Sequence, residues 1–128
     1  MSSPSNLRYT HDHEWARAEA DGTVTVGITD FAQGSLGGVV YVEVPSSGNV
    51  TAGAAFGQVE STKSVSELFA PISGEIVAKN DALDGEPELV NTDPYGNGWM
   101  VRIRPDGDLS ALMDAAAYDA HVATAGDH

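Results

Sequence analysis

The chain has 128 residues, of which 41% are hydrophobic, a size and composition that suit one folded domain. Six basic residues against nineteen acidic ones leave a formal net charge of -13, which repels nucleic acid and anionic membrane surfaces and favours basic-faced proteins or small molecules as partners. There is no cysteine, so disulfides and thiolate metal sites are excluded, and any redox chemistry has to come from a cofactor.

Met1 to Arg8 is rich in Ser, Asn and Pro and has no apolar core, unlike a secretory signal or an arginine-rich transit peptide. No later run is long enough to span a membrane, and a cytoplasmic location is expected. One domain over 1–128 is expected, with its core at about 7–122 and residues 1–6 and 124–128 as flexible tails. The first element is a hairpin: Tyr9 to Ala18, a turn at Asp21-Gly22, then Thr23 to Ile28 with Val24, Val26 and Ile28 on one face. Thr29 or Asp30 can cap a short helix near 29–36, which Gly37 and Gly38 end. Val39 to Val44 reads as a nearly continuous apolar strand stopped by Pro45. Phe56 to Val59 and Val65 to Phe69 make a second hairpin, and Gly74 to Ala78 and Met100 to Arg104 complete the strands. Val44 to Val50 aligns with Ala70 to Ile76 through a shared Pro-x-x-Gly, which suggests a quasi-two-fold sandwich. After Asp106, the residues Leu109, Leu112, Met113, Ala116 and Ala117 recur at three-to-four spacing, so a helix near 108–122 is expected to pack on the sheet.

The second hairpin carries the candidate chemistry. Val59-Glu60-Ser61-Thr62-Lys63-Ser64-Val65 centres on Thr62, which sets Lys63, one of only two lysines, at or beside the turn. A lysine so placed is presented to solvent and suits covalent loading. Ser61, Thr62 and Ser64 keep bulk away from it, and Glu60 and Glu67 offer acidic recognition points for a modifying enzyme. Lys79, beside Asn80 at a strand end, reads as an ordinary solvated lysine. His11 and His13 at strand spacing place two imidazoles on one face, but no third and fourth ligand accompany them, and no metal is expected. Trp15 and Trp99 read as core aromatics, and Pro94 to Gly98 as a turn.

These residues resemble a known family. His13-Glu14-Trp15, Gly27-Ile28-Thr29-Asp30, Ala32-Gln33, Leu36-Gly37, Val42-Glu43 and Pro45, followed by Val59 to Lys63, Ser66, Pro71, Ser73-Gly74-Glu75, Asn80, Leu83, Pro87, Leu89, Asn91, Pro94-Tyr95 and Gly98-Trp99, resemble in order the H proteins of the glycine cleavage system. The resemblance implies a mainly β fold, a barrel-sandwich hybrid of two antiparallel sheets, in a monomer that is a carrier and not an enzyme. It implies lipoic acid in amide linkage to Lys63, attached by a lipoate-attaching enzyme. It also implies three partners: glycine decarboxylase, which loads an aminomethyl group; a tetrahydrofolate-dependent aminomethyltransferase, which removes it; and dihydrolipoamide dehydrogenase, which reoxidises the dithiol. Glu14 and Glu67 are implied to hold the charged loaded group. Two positions depart from the family pattern: Gly38 stands where an acid commonly follows Leu-Gly, and Ser35 where some members have histidine. The alternatives are an H-like relay that passes lipoyl groups to other enzymes, and a biotinyl or lipoyl carrier of another complex. A biotin carrier flanks its lysine with methionines, whereas Thr62 and Ser64 flank Lys63.

Overall fold

The computed structural model describes residues 4–107 and 109–125. Among the described residues, nine strands form two open antiparallel sheets. The larger has the order β1-β2-β3-β9-β8-β5, from Arg8–Tyr9 (β1), Glu14–Ala18 (β2), Val24–Ile28 (β3), Gly48–Val50 (β5), Gly74–Lys79 (β8) and Val101–Pro105 (β9). The smaller has the order β4-β6-β7, from Val39–Glu43 (β4), Ala55–Ser61 (β6) and Val65–Phe69 (β7). Four helices accompany them: Asp30–Leu36 (α1), Ala82–Gly85 (α2), Leu89–Thr92 (α3) and Ala115–Ala125 (α4). The mainly β architecture and the helix at 30–36 follow the expectation from sequence, whereas α2, α3 and β5 were not anticipated.

The expected strand from Tyr9 to Ala18 is interrupted. The Thr10 hydroxyl accepts from the amides of Asp12 and Glu14, both at 3.2 Å, and so organises a turn before β2 begins. His13 sits in that turn with φ 68. His11 and His13 are therefore not two residues of one strand face. β3 is buried along its whole length and not on one face only. On its outer side Thr25 donates to Glu19 at 2.5 Å and accepts from Arg102 at 3.3 Å, so a polar layer covers the face that alternation assigned to solvent. Opposite Trp15 lies Gly27, where any Cβ would come within 2.7 Å of the indole. Only glycine lets that ring lie flat on β3, from where its N–H reaches the Pro94 carbonyl at 3.0 Å.

The Pro-x-x-Gly repeat has a structural counterpart. Its two copies pair with each other antiparallel, Gly48 with Ile76 and Val50 with Gly74, which is the pairing a local two-fold axis through Asn49 and Glu75 produces.

The C-terminal helix begins at Ala115, several residues later than expected, and runs through Ala125 into the stretch expected to be a tail. Leu109 and Leu112 belong to a turn and pack on the inter-sheet core, while Met113 exchanges backbone hydrogen bonds with Tyr9 at 2.8 and 2.9 Å. Asp114 then caps the helix by accepting from the Ala117 amide at 2.9 Å. Apolar spacing was misread as helical because those residues are fixed by strand pairing and core contact. Ala116 and Ala117 are exposed, and Ala115, Tyr118 and Val122 form the inward face. The helix rests on the β1 end of the larger sheet, with Tyr118 stacked on Tyr9 at 4.6 Å between centroids. Of the tails expected to be flexible, residues 1–3 and 126–128 lie outside the described residues, and the Pro4 carbonyl accepts from the Tyr9 hydroxyl at 2.5 Å.

Candidate functional site

The β6–β7 hairpin places Thr62 and Lys63 at its tip, both exposed. Ser61 builds the turn: its amide donates to the Ser64 carbonyl at 2.8 Å, and its hydroxyl oxygen accepts from the amides of Lys63 and Ser64 at 3.2 and 3.1 Å. Ser61 is thus a turn-forming residue as well as a small one. Ser64 is exposed, Glu60 lies between β4 and β7 on the sheet, and Glu67 is exposed further along β7.

The hairpin is held from the side by the link between α1 and β4. The Thr62 amide donates to the Gly38 carbonyl at 3.0 Å, and the Lys63 stem lies over Gly37. A Cβ on Gly37 would come within 2.9 Å of Lys63 Cε, a contact that the flexible lysine can relieve by shifting, but this residue has φ 83, so the backbone calls for glycine there. Gly38 faces open space, so the acid common at this position in the resembling family would have room here. Asn91, on α3, fixes the link. Its amide nitrogen donates to the Gly37 carbonyl and to Gln33 Oε1, both at 2.9 Å, and its oxygen accepts from the Val39 amide at 2.8 Å. Sequence matched Asn91 to a motif but gave it no role, because its partners lie more than fifty residues away.

Beside the hairpin a cavity of about 410 Å³ opens between α1 and β7. Ile28, Phe31, Leu36, Val59 and Leu68 give it apolar walls, and Glu67, Ser66, Ser35 and His13 add polar groups. Ser35 thus lies on the cavity where some members of the resembling family have histidine. Glu14 lies in this cavity but is only 2% exposed, in contrast to an exposed strand carboxylate. One of its oxygens accepts from the Thr10 hydroxyl at 2.9 Å and the other from the Phe69 amide at 3.1 Å, so it clips the β7 edge to the start of β2. Burial pushes its carboxyl up to about 8, with nearby Asp12 adding to the effect and the two hydrogen bonds opposing it. Glu14 therefore holds a proton through most of the neutral range. Next to it, His13 Nδ1 lies 2.8 Å from the Tyr118 hydroxyl, which lies 2.7 Å from Thr29 Oγ1, the cap of α1. Burial, and then His121, pull the His13 imidazole below its usual range. The imidazoles of His11 and His13 both stack on His121, at 5.0 and 5.4 Å between centroids.

Lys63 and the cavity are neighbours: the tip rests on Gly37, directly after the α1 residues that line the cavity. Lys79 is far along the larger sheet and pairs with Asp84 at 3.5 Å. The arrangement offers one exposed amine for acylation, and next to it an apolar cleft with a buried carboxyl able to receive the far end of an attached group.

A family model described as glycine cleavage H-protein matches residues 7–125. The glycine cleavage system H protein of Anaeromyxobacter sp. (strain K) is 59% identical over 125 residues, covering 95% of this chain and 97% of the relative. That of Mycolicibacterium vanbaalenii is 52% identical over 126 residues, covering 94% and 96%. The crystal structure of a glycine cleavage system H protein from Mycobacterium marinum has a TM-score of 0.84 and 41% identity, covering 97% of this chain and 99% of that one. With a family model matching residues 7–125, relatives that match over almost the full chain and a solved structure of the same fold, this protein belongs to the glycine cleavage H-protein family.

Proposed function

We propose that this chain is the lipoyl-carrying H protein of a glycine cleavage system, a single-domain, monomeric cytoplasmic carrier with no catalytic step of its own. The observation that carries this reading is an exposed hairpin lysine beside a cavity of about 410 Å³ that contains one buried carboxyl. Lipoic acid in amide linkage to Lys63 fits these residues, since the apolar walls suit its hydrocarbon chain and Lys63 has no salt-bridge partner among the described residues. Held by Lys63, the lipoyl group would supply a cyclic disulfide for aminomethyl transfer, with glycine decarboxylase, a tetrahydrofolate-dependent aminomethyltransferase and dihydrolipoamide dehydrogenase as the partners.

The chain's own residues supply the base, the reach and the shelter. Lys63 provides a long unbranched stem on a rigid turn, so tethering replaces free diffusion by a high effective concentration at each partner. Acylation removes its positive charge and leaves the protein one unit more negative. Glu14, protonated at neutral pH, faces the cavity; a cationic amine brought beside it favours the carboxylate, so Glu14 gives up its proton and retains the cation through a charge-assisted hydrogen bond. Asp12 and Glu67 also border the cavity, and α1 forms one of its walls.

The test is intact mass and peptide mapping of the chain after incubation with lipoate, ATP and a lipoate-attaching enzyme. A lipoyl increment is expected on Lys63 alone and not on Lys79, and it disappears in Lys63→Arg. No increment, or one on Lys79, overturns the site.

A further inference from the structure

The smaller sheet turns an outer face to solvent that differs in kind from the rest of the surface. β4 carries a bulge between Val39 and Tyr41, so Val40 and Tyr41 both point outward while Val39 and Val42 are buried. The pairing register then sets Tyr41 opposite Glu60 and Glu60 opposite Val65, one row running across all three strands. Tyr41 is 48% exposed and Val65 58%, and together with Val40 at 53% they make up all but one of the large exposed apolar side chains among the described residues. The next outward row is Glu43, Gln58 and Glu67. Lys63 is two residues from Val65 at the open end of the same face.

Charge is segregated in the same way. Arg8, Arg17, Lys79, Arg102 and Arg104 all lie on the larger sheet, and the three salt bridges found among the described residues are made there. The strands of the smaller sheet hold Glu43, Glu60 and Glu67 and no basic residue. This face combines an apolar pair with unneutralised carboxylates, and the complement is a surface with cations around an apolar pocket.

We propose that the Tyr41–Glu60–Val65 row is the docking surface for the enzyme that acylates Lys63, a protein whose contact surface is basic and has an apolar recess for Tyr41. The proposal rests on the carrier reading above and names a partner surface for it. The reason for this occupant is distance. An enzyme that works on the far end of an attached arm can stand an arm's length away, whereas one that works on Nζ has to sit against the hairpin itself, and this row is the sheet surface that adjoins it. In that step Lys63 Nζ forms the C–N bond with the acyl carbon of an acyl adenylate, the acyl–oxygen bond breaks, AMP departs and the amine releases a proton to solvent.

The test uses the full chain with Tyr41→Thr and Val65→Thr, singly and together, and Val77→Thr on the larger sheet as the control. Threonine keeps strand propensity, so the fold is retained and a thermal melt verifies it. Initial rates of lipoyl incorporation at Lys63 are read by mass spectrometry across carrier concentration and salt. The expected result is a fall in kcat/KM of roughly tenfold for the double variant, mainly in KM, because truncated aromatic and apolar anchors at an interface centre cost most. Val77→Thr stays at the wild-type value. Rates also fall with ionic strength, and Glu60→Gln with Glu67→Gln flattens that dependence. Equal kcat/KM in the double variant and the wild type overturns the proposal. So does unaltered incorporation combined with slower turnover of the preloaded variant by glycine decarboxylase or aminomethyltransferase, or a salt-sensitive dimer lost in the variant, since each gives the face to another occupant. Failure of the wild type to take up lipoate at Lys63 sinks the carrier reading itself and this proposal with it, and is distinct from both.

Discussion

Replacing Glu14 by Gln separates the electrostatic cost of this residue from its hydrogen bonds. A glutamyl carboxyl ordinarily titrates near 4.5, and in this fold Glu14 titrates at about 8 because it is buried. At 1.36 kcal/mol per pH unit, ionising it costs about 4 to 5 kcal/mol more in the folded chain than in the unfolded one. Below pH 4.5 the carboxyl is neutral in both states and there is no penalty. Between 4.5 and 8 the unfolded chain releases the proton while the folded chain keeps it, so stability falls as pH rises, and above 8 the full cost is present. Glutamine is neutral at every pH and its oxygen can still accept from the Phe69 amide, whereas its nitrogen cannot accept from the Thr10 hydroxyl, whose oxygen already accepts from the Asp12 and Glu14 amides; losing that one bond is a cost that does not vary with pH. Urea unfolding of wild type and Glu14→Gln at intervals from pH 4 to pH 9 is the assay. Between the two ends of that range the stability difference is expected to shift by about 4 kcal/mol in favour of Gln, on top of a constant offset from the lost Thr10 bond. Contributions from the other titrating groups cancel in that difference. A difference that stays constant over the range refutes the reasoning, because it means that Glu14 titrates alike in both states.

Asn91→Ala removes the bonds to Gly37, Gln33 and Val39, and is expected to destabilise the fold by about 2 to 3 kcal/mol and to accelerate hydrogen exchange of the Thr62 amide, as read by mass spectrometry or NMR. Gly37→Ala forces a side chain into a positive-φ region that is essentially glycine-only, at a cost of about 1 to 3 kcal/mol, and pushes the Lys63 stem aside; thermal melts and incorporation rates measure the two effects separately. Gly38→Asp meets no neighbour and leaves thermal stability within about 0.5 kcal/mol of wild type.

The lysine hairpin was legible because its causes are local. Ser61 closes the turn with groups two and three residues away, and strand-forming runs flank it on both sides. The cap of α1 was legible for the same reason, since Thr29 accepts from Ala32. The C-terminal helix shows where local reading fails: the spacing of Leu109, Leu112 and Met113 looked helical, yet Met113 pairs with Tyr9 and the true cap, Asp114, lay unread. Likewise the alternation in β3 predicted one wet face, and the side chains that cover it, Glu19 and Arg102, come from before and far beyond the strand.

By itself, the sequence determined the family, the antiparallel β character, the lysine at the turn and the acidic balance, because motif order, strand propensity, turn chemistry and charge are carried by neighbouring residues or by composition. Only the tertiary structure decided that Glu14 is buried and holds a proton, that a cavity lies beside the hairpin, that Asn91 braces it, and that all the cations except Lys63 lie on the other sheet. Each of these depends on groups brought together from distant parts of the chain, as Glu14 is with Phe69, 55 residues away. Burial and solvation are properties of the packed assembly and not of any local stretch of sequence.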